Sequence, residues 1–404
     1  MIRIKENIIA FSKWSAVSIL IGIILGYVGF LFHTVLEFAT EVRENNIYLV
    51  WFLPVAGVVI VLLYKLCGME KDKGTNCIIS SVRKEDSPPL ILAPLIFVTT
   101  AITHLFGGSA GREGAALQMG GSVGYFVGEK LKFDEKDKAT ATMCGMSGAF
   151  SALFGTPVAG SVFAMEITNV GIMNYSVIVP CVLCAVTGRL VVQSLGVLPS
   201  FYKVSFVPQL SVIAVIKIVV LGILCAVVSK LFCMVLDKTH SLYEKFIPNK
   251  LLASIVGGLE ISVLTFVLGT GDYNGAGTAI IEKALVGETE VYAFALKILF
   301  TAITLGAGFK GGEIVPTLFI GATFGCAVSP VLGIDPSFGA SLGMIALFCG
   351  VTNCPLSSLV MSVELFGGQG LVFYMVAVAV SYLLSGYQGL YSSQKIIYSK
   401  TKME

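Results

Sequence analysis

Pro157-Val-Ala-Gly-Ser-Val-Phe-Ala-Met-Glu166 and Pro355-Leu-Ser-Ser-Leu-Val-Met-Ser-Val-Glu364 share one pattern, in which a proline opens an apolar stretch that ends nine residues later in a glutamate. A second pair stands at nearly the same offset. Gly111-Arg-Glu-Gly-Ala-Ala-Leu-Gln-Met-Gly120 lines up with Gly312-Glu-Ile-Val-Pro-Thr-Leu-Phe-Ile-Gly321, and Gly124 with Gly325. Two elements in the same order at matching offsets indicate a duplicated chain. Broken hydrophobic segments at corresponding positions are the sequence mark of a transporter whose site lies between its halves. The expected division is residues 1–200 and 201–404, with the hinge near 197–210, where Leu198-Pro199 and Val207-Pro208 interrupt the pattern.

Composition places these halves in a membrane. Of 404 residues, 55% are hydrophobic and 13% charged, and the mean hydropathy is +0.87. Soluble domains carry roughly 25% charged residues. A formal charge of +2 and the lack of a long basic run argue against nucleic-acid binding. Three histidines and ten scattered cysteines, with one CxxC at Cys181–Cys184 inside an apolar run, make no metal site, and no cofactor is expected. Apolar stretches fall at 8–38, 48–67, 89–106, 115–128, 139–154, 157–170, 172–196, 209–236, 251–269, 291–306, 315–332, 339–353, 355–366 and 370–390. A full span takes about 20 apolar residues. Several of these stretches are shorter and are cut by Gly155-Thr-Pro157, Gly311-Gly312, Val315-Pro316 or Cys354-Pro355, as expected of half-helices that meet mid-membrane.

The polar breaks Glu41–Asn46, Met69–Gly74, Val82–Pro89, Glu129–Lys138, Asp237–Lys250 and Gly271–Thr278 read as loops, none long enough for a soluble domain. Met1-Ile-Arg-Ile-Lys-Glu6 leads into the first apolar run without a small-residue cleavage site and reads as a retained first helix. Arg3, Lys5 and Lys13 at one end and Lys395, Lys400 and Lys402 at the other predict both termini on the cytoplasmic side. The expectation is an all-α, multi-pass plasma-membrane protein.

Gly107-Gly-Ser-Ala-Gly-Arg-Glu-Gly-Ala115 carries the chemistry. Intramembrane carboxylates such as Glu113 usually belong to an ion or proton route. Glycines leave backbone amides open, and a helix start adds positive dipole, so this is a place for an anion. Beside Arg112, Glu113 also reads as a helix-start carboxylate in a structural ion pair. Gly107-Gly-Ser109-Ala-Gly111 formally fits GxSxG, but a hydrolase also needs a histidine base in reach. His104 stands only five residues upstream, in no known triad order, and His240 lies in a polar stretch.

Gly107-Gly-Ser-Ala-Gly-Arg-Glu-Gly114, Phe150-Ser-Ala-Leu-Phe-Gly-Thr-Pro-Val-Ala-Gly160, Gly311-Gly-Glu-Ile-Val-Pro316 and Leu390-Tyr-Ser392 resemble the CLC family of anion channels and proton-coupled antiporters, in order along nearly the whole chain. The resemblance implies the CLC fold, an inverted-topology repeat of tilted and broken helices. It also implies a homodimer in lipid, with one pore per subunit. Glu113 would be the external gating glutamate, and Tyr391 would coordinate the central anion. The departures are specific. The Gly-Ser-Gly-Ile-Pro segment of chloride-handling members corresponds to Gly74-Thr75-Asn76-Cys77-Ile78, which lacks that serine. Gly-x-Phe-x-Pro becomes Gly312-Glu313-Ile314-Val315-Pro316. The internal proton-relay glutamate of chloride/proton antiporters aligns with Ile167.

Together these changes resemble the fluoride-exporting branch and imply a fluoride/proton antiporter that confers fluoride resistance. The alternative is a chloride/proton antiporter or chloride channel. The site is expected at the half-helix ends Gly74–Ile78, Gly111–Gly114 and Gly312–Pro316. Thr75, Asn76, Gly111, Arg112, Gly114 and Tyr391 would bind the anion, and Ile78, Ile314 and Val315 would line the path. Glu113 is the proton-transferring gate. Glu313 is either a second acid in the route or the cap of its own helix. Glu166 and Glu364 read as structural.

Overall fold

In the lipid interior every backbone polar group must find a partner within the protein, and an apolar chain of this length does so as helices. The computed structural model describes residues 2–400, with side chains from Ile4 on, so Arg3 and Lys402 of the basic terminal sets lie outside the described side chains. The first eight helices are α1 Ile2–Asn45, α2 Leu53–Leu66, α3 Thr75–Val82, α4 Leu92–Leu105, α5 Glu113–Lys130, α6 Glu135–Phe154, α7 Pro157–Glu166 and α8 Ile178–Ser194. Eight more follow in the same rhythm: α9 Val212–Phe246, α10 Lys250–Leu268, α11 Thr278–Leu285, α12 Ala293–Gly306, α13 Ile314–Leu332, α14 Pro336–Thr352, α15 Pro355–Phe366 and α16 Leu371–Leu384. Six helical segments among the described residues are long and apolar enough to cross a membrane.

Local signals repeat as well. Asp134 accepts the Asp137 amide at the start of α6, and Asp335 accepts the Phe338 amide at the start of α14. Both helices end on a left-handed residue, Gly155 (φ 73°) and Asn353 (φ 58°). A proline in the first helical turn then restarts the chain as α7 and α15.

Close packing between helices depends on missing side chains. A Cβ on Gly120 would stand 2.2 Å from the Gly145 carbonyl, and one on Gly124 2.1 Å from that of Ala141. In the other half, a Cβ on Gly321 would stand 2.5 Å from the Gly343 carbonyl, and one on Gly325 2.1 Å from that of Gly339. Apolar surfaces gain little by leaving lipid, so backbone approach of this kind is what joins α5 to α6 and α13 to α14.

Two expectations change. Glu41–Asn46 and Asp237–Lys250 are not loops throughout: α1 continues to Asn45 and α9 to Phe246. Both run on past their apolar stretch, where polar side chains are solvated and His240 pairs with Glu244 one turn away. The short helices α3 and α11 arise where no apolar stretch was expected, because eight residues with one buried face leave no long hydrophobic run. The ten cysteines are all free and eight are buried.

Candidate anion and proton site

The starts of α5 and α13 lie side by side, α7 and α15 run antiparallel to each other, and a reciprocal exchange joins each pair. Gly111 and Gly312 form an antiparallel bridge, Gly111 N donating to Gly312 O at 2.6 Å and Gly312 N to Gly111 O at 2.7 Å. Glu166, at the end of α7, accepts the amides of Leu356 and Ser357 at the start of α15, at 3.1 and 2.9 Å. Glu364, at the end of α15, accepts those of Val158 and Ala159 at the start of α7, at 2.9 and 2.8 Å. Each half therefore caps the other through its glutamate.

The bridge corrects one expectation. The amide of Gly111 is not open to an anion, because Gly312 takes it. The open donors lie one step on. Among the described residues, Gly114, Ala115, Ile314 and Val315, in the first turns of α5 and α13, have amides with no protein acceptor. Such amides at a helix start are suited to an anion.

Glu113 is 1% exposed. Its Oε2 accepts the Arg112 amide at 3.1 Å, and its Oε1 accepts Arg112 Nε at 3.3 Å. Two cavities approach it and neither reaches it. The first, about 670 Å³, is lined by Thr75, Asn76, Gln118, Lys310, Glu313 and Tyr391, among other polar residues. The second, about 1060 Å³, is lined by Arg112, His33, His104 and acidic residues that include Glu37 and Asp272. They lie toward opposite ends of α6, a helix about 30 Å long at 1.5 Å per residue. Leu153 in its last turn lines the second cavity. The first cavity is rimmed by Lys73, which pairs with Asp86, and Tyr125 donates to the adjacent Ser87 at 3.0 Å, tying the later turns of α5 to that rim.

Glu313 comes close to Glu113 through Gly114: a Cβ on Gly114 would stand 3.2 Å from Glu313 Oε2, which is buried without a hydrogen-bond partner. Lys310 lines the same cavity, 3.9 Å from Asp72 and over the Tyr64 ring. The Tyr391 hydroxyl is likewise buried and unpartnered. It sits on a segment held by Leu390 N donating to Val351 O at 2.9 Å and Gln394 N to Tyr391 O at 3.0 Å.

Other expected ligands are engaged elsewhere. Thr75 donates to Gly114 O at 3.5 Å and accepts from Gln118 Nε2 at 3.2 Å. Asn76 Oδ1 accepts the Ser393 amide at 2.9 Å, fastening the Gly74–Ile78 turn to the segment that carries Tyr391. Ile78, Ile314 and Val315 line neither cavity. Ile78 fills the space over Gly121, and Val315 packs on Gly111. Arg112 belongs to the second cavity, away from Tyr391. Ser109 shares a 3.0 Å hydrogen bond with Thr301, so the GxSxG match is a packing feature.

Beyond Tyr391, Lys395-Ile396 pairs in parallel with Asn169-Val170, and Lys395 bonds to Glu85. Hydrogen bonds from Arg83 and Lys395 hold the exposed Glu85 carboxyl down to about 2, so this latch stays charged at physiological pH. Gln118 and Lys310 escaped sequence reading. The one available signal was a lone amide, five residues after Glu113, in an otherwise apolar helix.

Residues 56–386 match the family model described as voltage gated chloride channel. A chloride/fluoride channel protein from Pseudomonas syringae pathovar tomato is 34% identical over 96% of this chain and 88% of its own length. The crystal structure of a CLC-type fluoride/proton antiporter superposes with a TM-score of 0.92 at 30% identity, covering 95% of this chain and 98% of that one. That of a slow cyanobacterial chloride/proton antiporter shares the fold at 18% identity, with a TM-score of 0.80 over 92% and 94% of the two chains.

Proposed function

The chain belongs to the voltage gated chloride channel family, whose members are integral membrane proteins that move ions, and we propose that it exports fluoride in exchange for protons. The observation that carries this reading is the pair of carboxylates beside the Gly111–Gly312 bridge. Glu113 is sealed between the two cavities, and Glu313 lines the first and keeps one buried oxygen without a hydrogen-bond partner. Fluoride holds its water tightly, so a dehydrated site must offer compact donors. The open amides of Gly114, Ala115, Ile314 and Val315 and the unpartnered Tyr391 hydroxyl supply them. Glu113 alternates between that site and a protonated, outward position. Proton entry and fluoride exit are then successive uses of one path. Glu313 is the second acid, in place of the relay absent at Ile167.

The first cavity is the cytoplasmic one. Its end of the molecule carries Lys73, Arg83 and Lys395, and Lys13 pairs with Asp137 at the same end of α6, whereas Glu37, Glu41 and Glu44 line the second. Both termini are cytoplasmic, the membrane is the plasma membrane, and the halves 1–200 and 201–404 have opposite orientations. The protein is a homodimer in lipid. Leu66, Val212 and Val331, each more than 75% exposed, belong to surface that lipid or the partner subunit covers. Efflux from proteoliposomes loaded with either halide tests the reading: fluoride leaves much faster than chloride. Equal rates would favour the chloride/proton antiporter, an activity also named for relatives such as an exchange transporter from Vibrio parahaemolyticus, 24% identical.

A further inference from the structure

Arg112 lines the second cavity and hydrogen-bonds Glu113 behind it, and Arg112 is itself held from behind. Its Nη1 lies 2.8 Å from His33 Nδ1. A guanidinium has no acceptor, so His33 Nδ1 must accept and carry no proton. The ring proton then sits on Nε2, which faces Glu37 Oε1 at 3.1 Å, one turn further along α1. Glu37 is well exposed, His33 mostly covered, and Glu113 sealed. Glu37, His33, Arg112 and Glu113 therefore form an unbroken chain of polar contacts from the mouth of the second cavity to the buried gate.

We propose that His33 is a positioning residue of the external gate, which holds Arg112 against Glu113 while neutral and lets go when the external solution acidifies. This rests on Glu113 being the gate. Histidine is the side chain that changes charge between about pH 5 and 8. A proton added to Nδ1 removes the acceptor and sets an imidazolium against a guanidinium. Arg112 is driven off His33 into the cavity, and the Arg112 Nε–Glu113 contact, already 3.3 Å long, gives way with it. Without that cation, Glu113 takes up an external proton more readily. Other charged groups line the same cavity: Glu41, Arg43 and Glu44 from the end of α1, His104 from α4, and Asp272 and Glu282 from the segment before and within α11. Among the described residues, only Glu37 and Arg112 contact the His33 ring nitrogens.

His33→Gln separates the roles, because its amide can accept from Arg112 and donate to Glu37 but does not titrate. In proteoliposomes with the internal pH fixed, the ratio of wild-type to His33→Gln fluoride efflux should rise as external pH falls through the histidine range and stay flat on the alkaline side. A ratio constant throughout overturns the proposal. A second measurement needs no transport. Nitrogen-15 spectra of the His33 ring near pH 8, assigned by difference against His33→Gln among only three histidines, should show a bare Nδ1 and a protonated Nε2. Arg112→Leu, which offers no donor to Nδ1, should lose that fixed tautomer. The opposite tautomer in the unaltered protein overturns the proposal whichever anion is carried. Failure of the unaltered protein to move fluoride would instead count against the functional reading, with the spectra still deciding the His33 geometry.

Discussion

Gly111 and Gly312 exchange both of their backbone hydrogen bonds, at 2.6 and 2.7 Å, and so set the starts of α5 and α13 side by side in the centre of the protein. The bridge fixes how close the two acids stand. It also demands bare backbone, since a Cβ on Gly312 would lie 2.4 Å from the Gly114 nitrogen.

Gly312→Ala should therefore destabilise the protein by about 1–3 kcal/mol, as overpacking does. It should also impair transport. Thermal loss of the folded peak in detergent measures the first effect. A variant as heat-resistant as the unaltered protein would show that the bridge can widen at no cost.

Glu113→Gln and Glu113→Ala should abolish fluoride-driven proton uptake, since neither side chain exchanges a proton. Vesicles carrying either variant, followed with a pH electrode, should show no proton movement. Coupled uptake that persists would exclude Glu113 as shared gate and carrier.

Glu313→Gln should slow or uncouple transport while assembly is unaffected, because the amide keeps the packing over Gly114 and loses only the ionisable group. If Glu313 merely capped its own helix, the loss would be about 0.3–1 kcal/mol of stability and nothing in rate. Wild-type fluoride and proton fluxes in a well-folded variant would assign it to that structural role.

The opposite outcome is expected one layer away. Glu166→Gln should weaken the cap on Leu356 and Ser357, costing about 1 kcal/mol, and leave the fluoride-to-proton ratio unchanged. A changed ratio would put Glu166 into the proton route.

Serine in place of Thr75 or Asn76 should narrow the preference for fluoride over chloride. The route differs at the two positions. Thr75 acts through Gly114 and Gln118, whereas Asn76 acts through the Ser393 amide and hence the Tyr391 segment. Selectivity identical to the unaltered protein in both variants would remove this turn from anion choice.

Much of the fold was legible because it is written twice. Pro157–Glu166 against Pro355–Glu364, and Gly111–Gly120 against Gly312–Gly321, locate the starts of α5, α7, α13 and α15. The reciprocal use of Glu166 and Glu364 was not legible, since a caps register cannot be read when the capped amides lie about half a chain away in sequence. The short helix α11 was missed, and α3 was expected only as a half-helix end at Gly74–Ile78, because an amphipathic eight-residue pattern is too brief to separate from a loop. In the candidate site, the sequence pointed to the motif glycines and acids, yet it could not say that Gly111 spends its amide on Gly312 while Gly114 keeps its own free. Nor could it show that Asn76 faces Ser393, or that His33 stands behind Arg112.

Exchange itself is tested most directly by a gradient experiment. Proteoliposomes loaded with fluoride, with the membrane voltage clamped to zero by potassium and valinomycin, are diluted into fluoride-free medium at equal internal and external pH. The account predicts that outward fluoride flow drives protons inward until the interior is more acidic than the medium, and that chloride in place of fluoride does so far more weakly. Fluoride efflux with no proton entry, or chloride driving protons equally well, would contradict it.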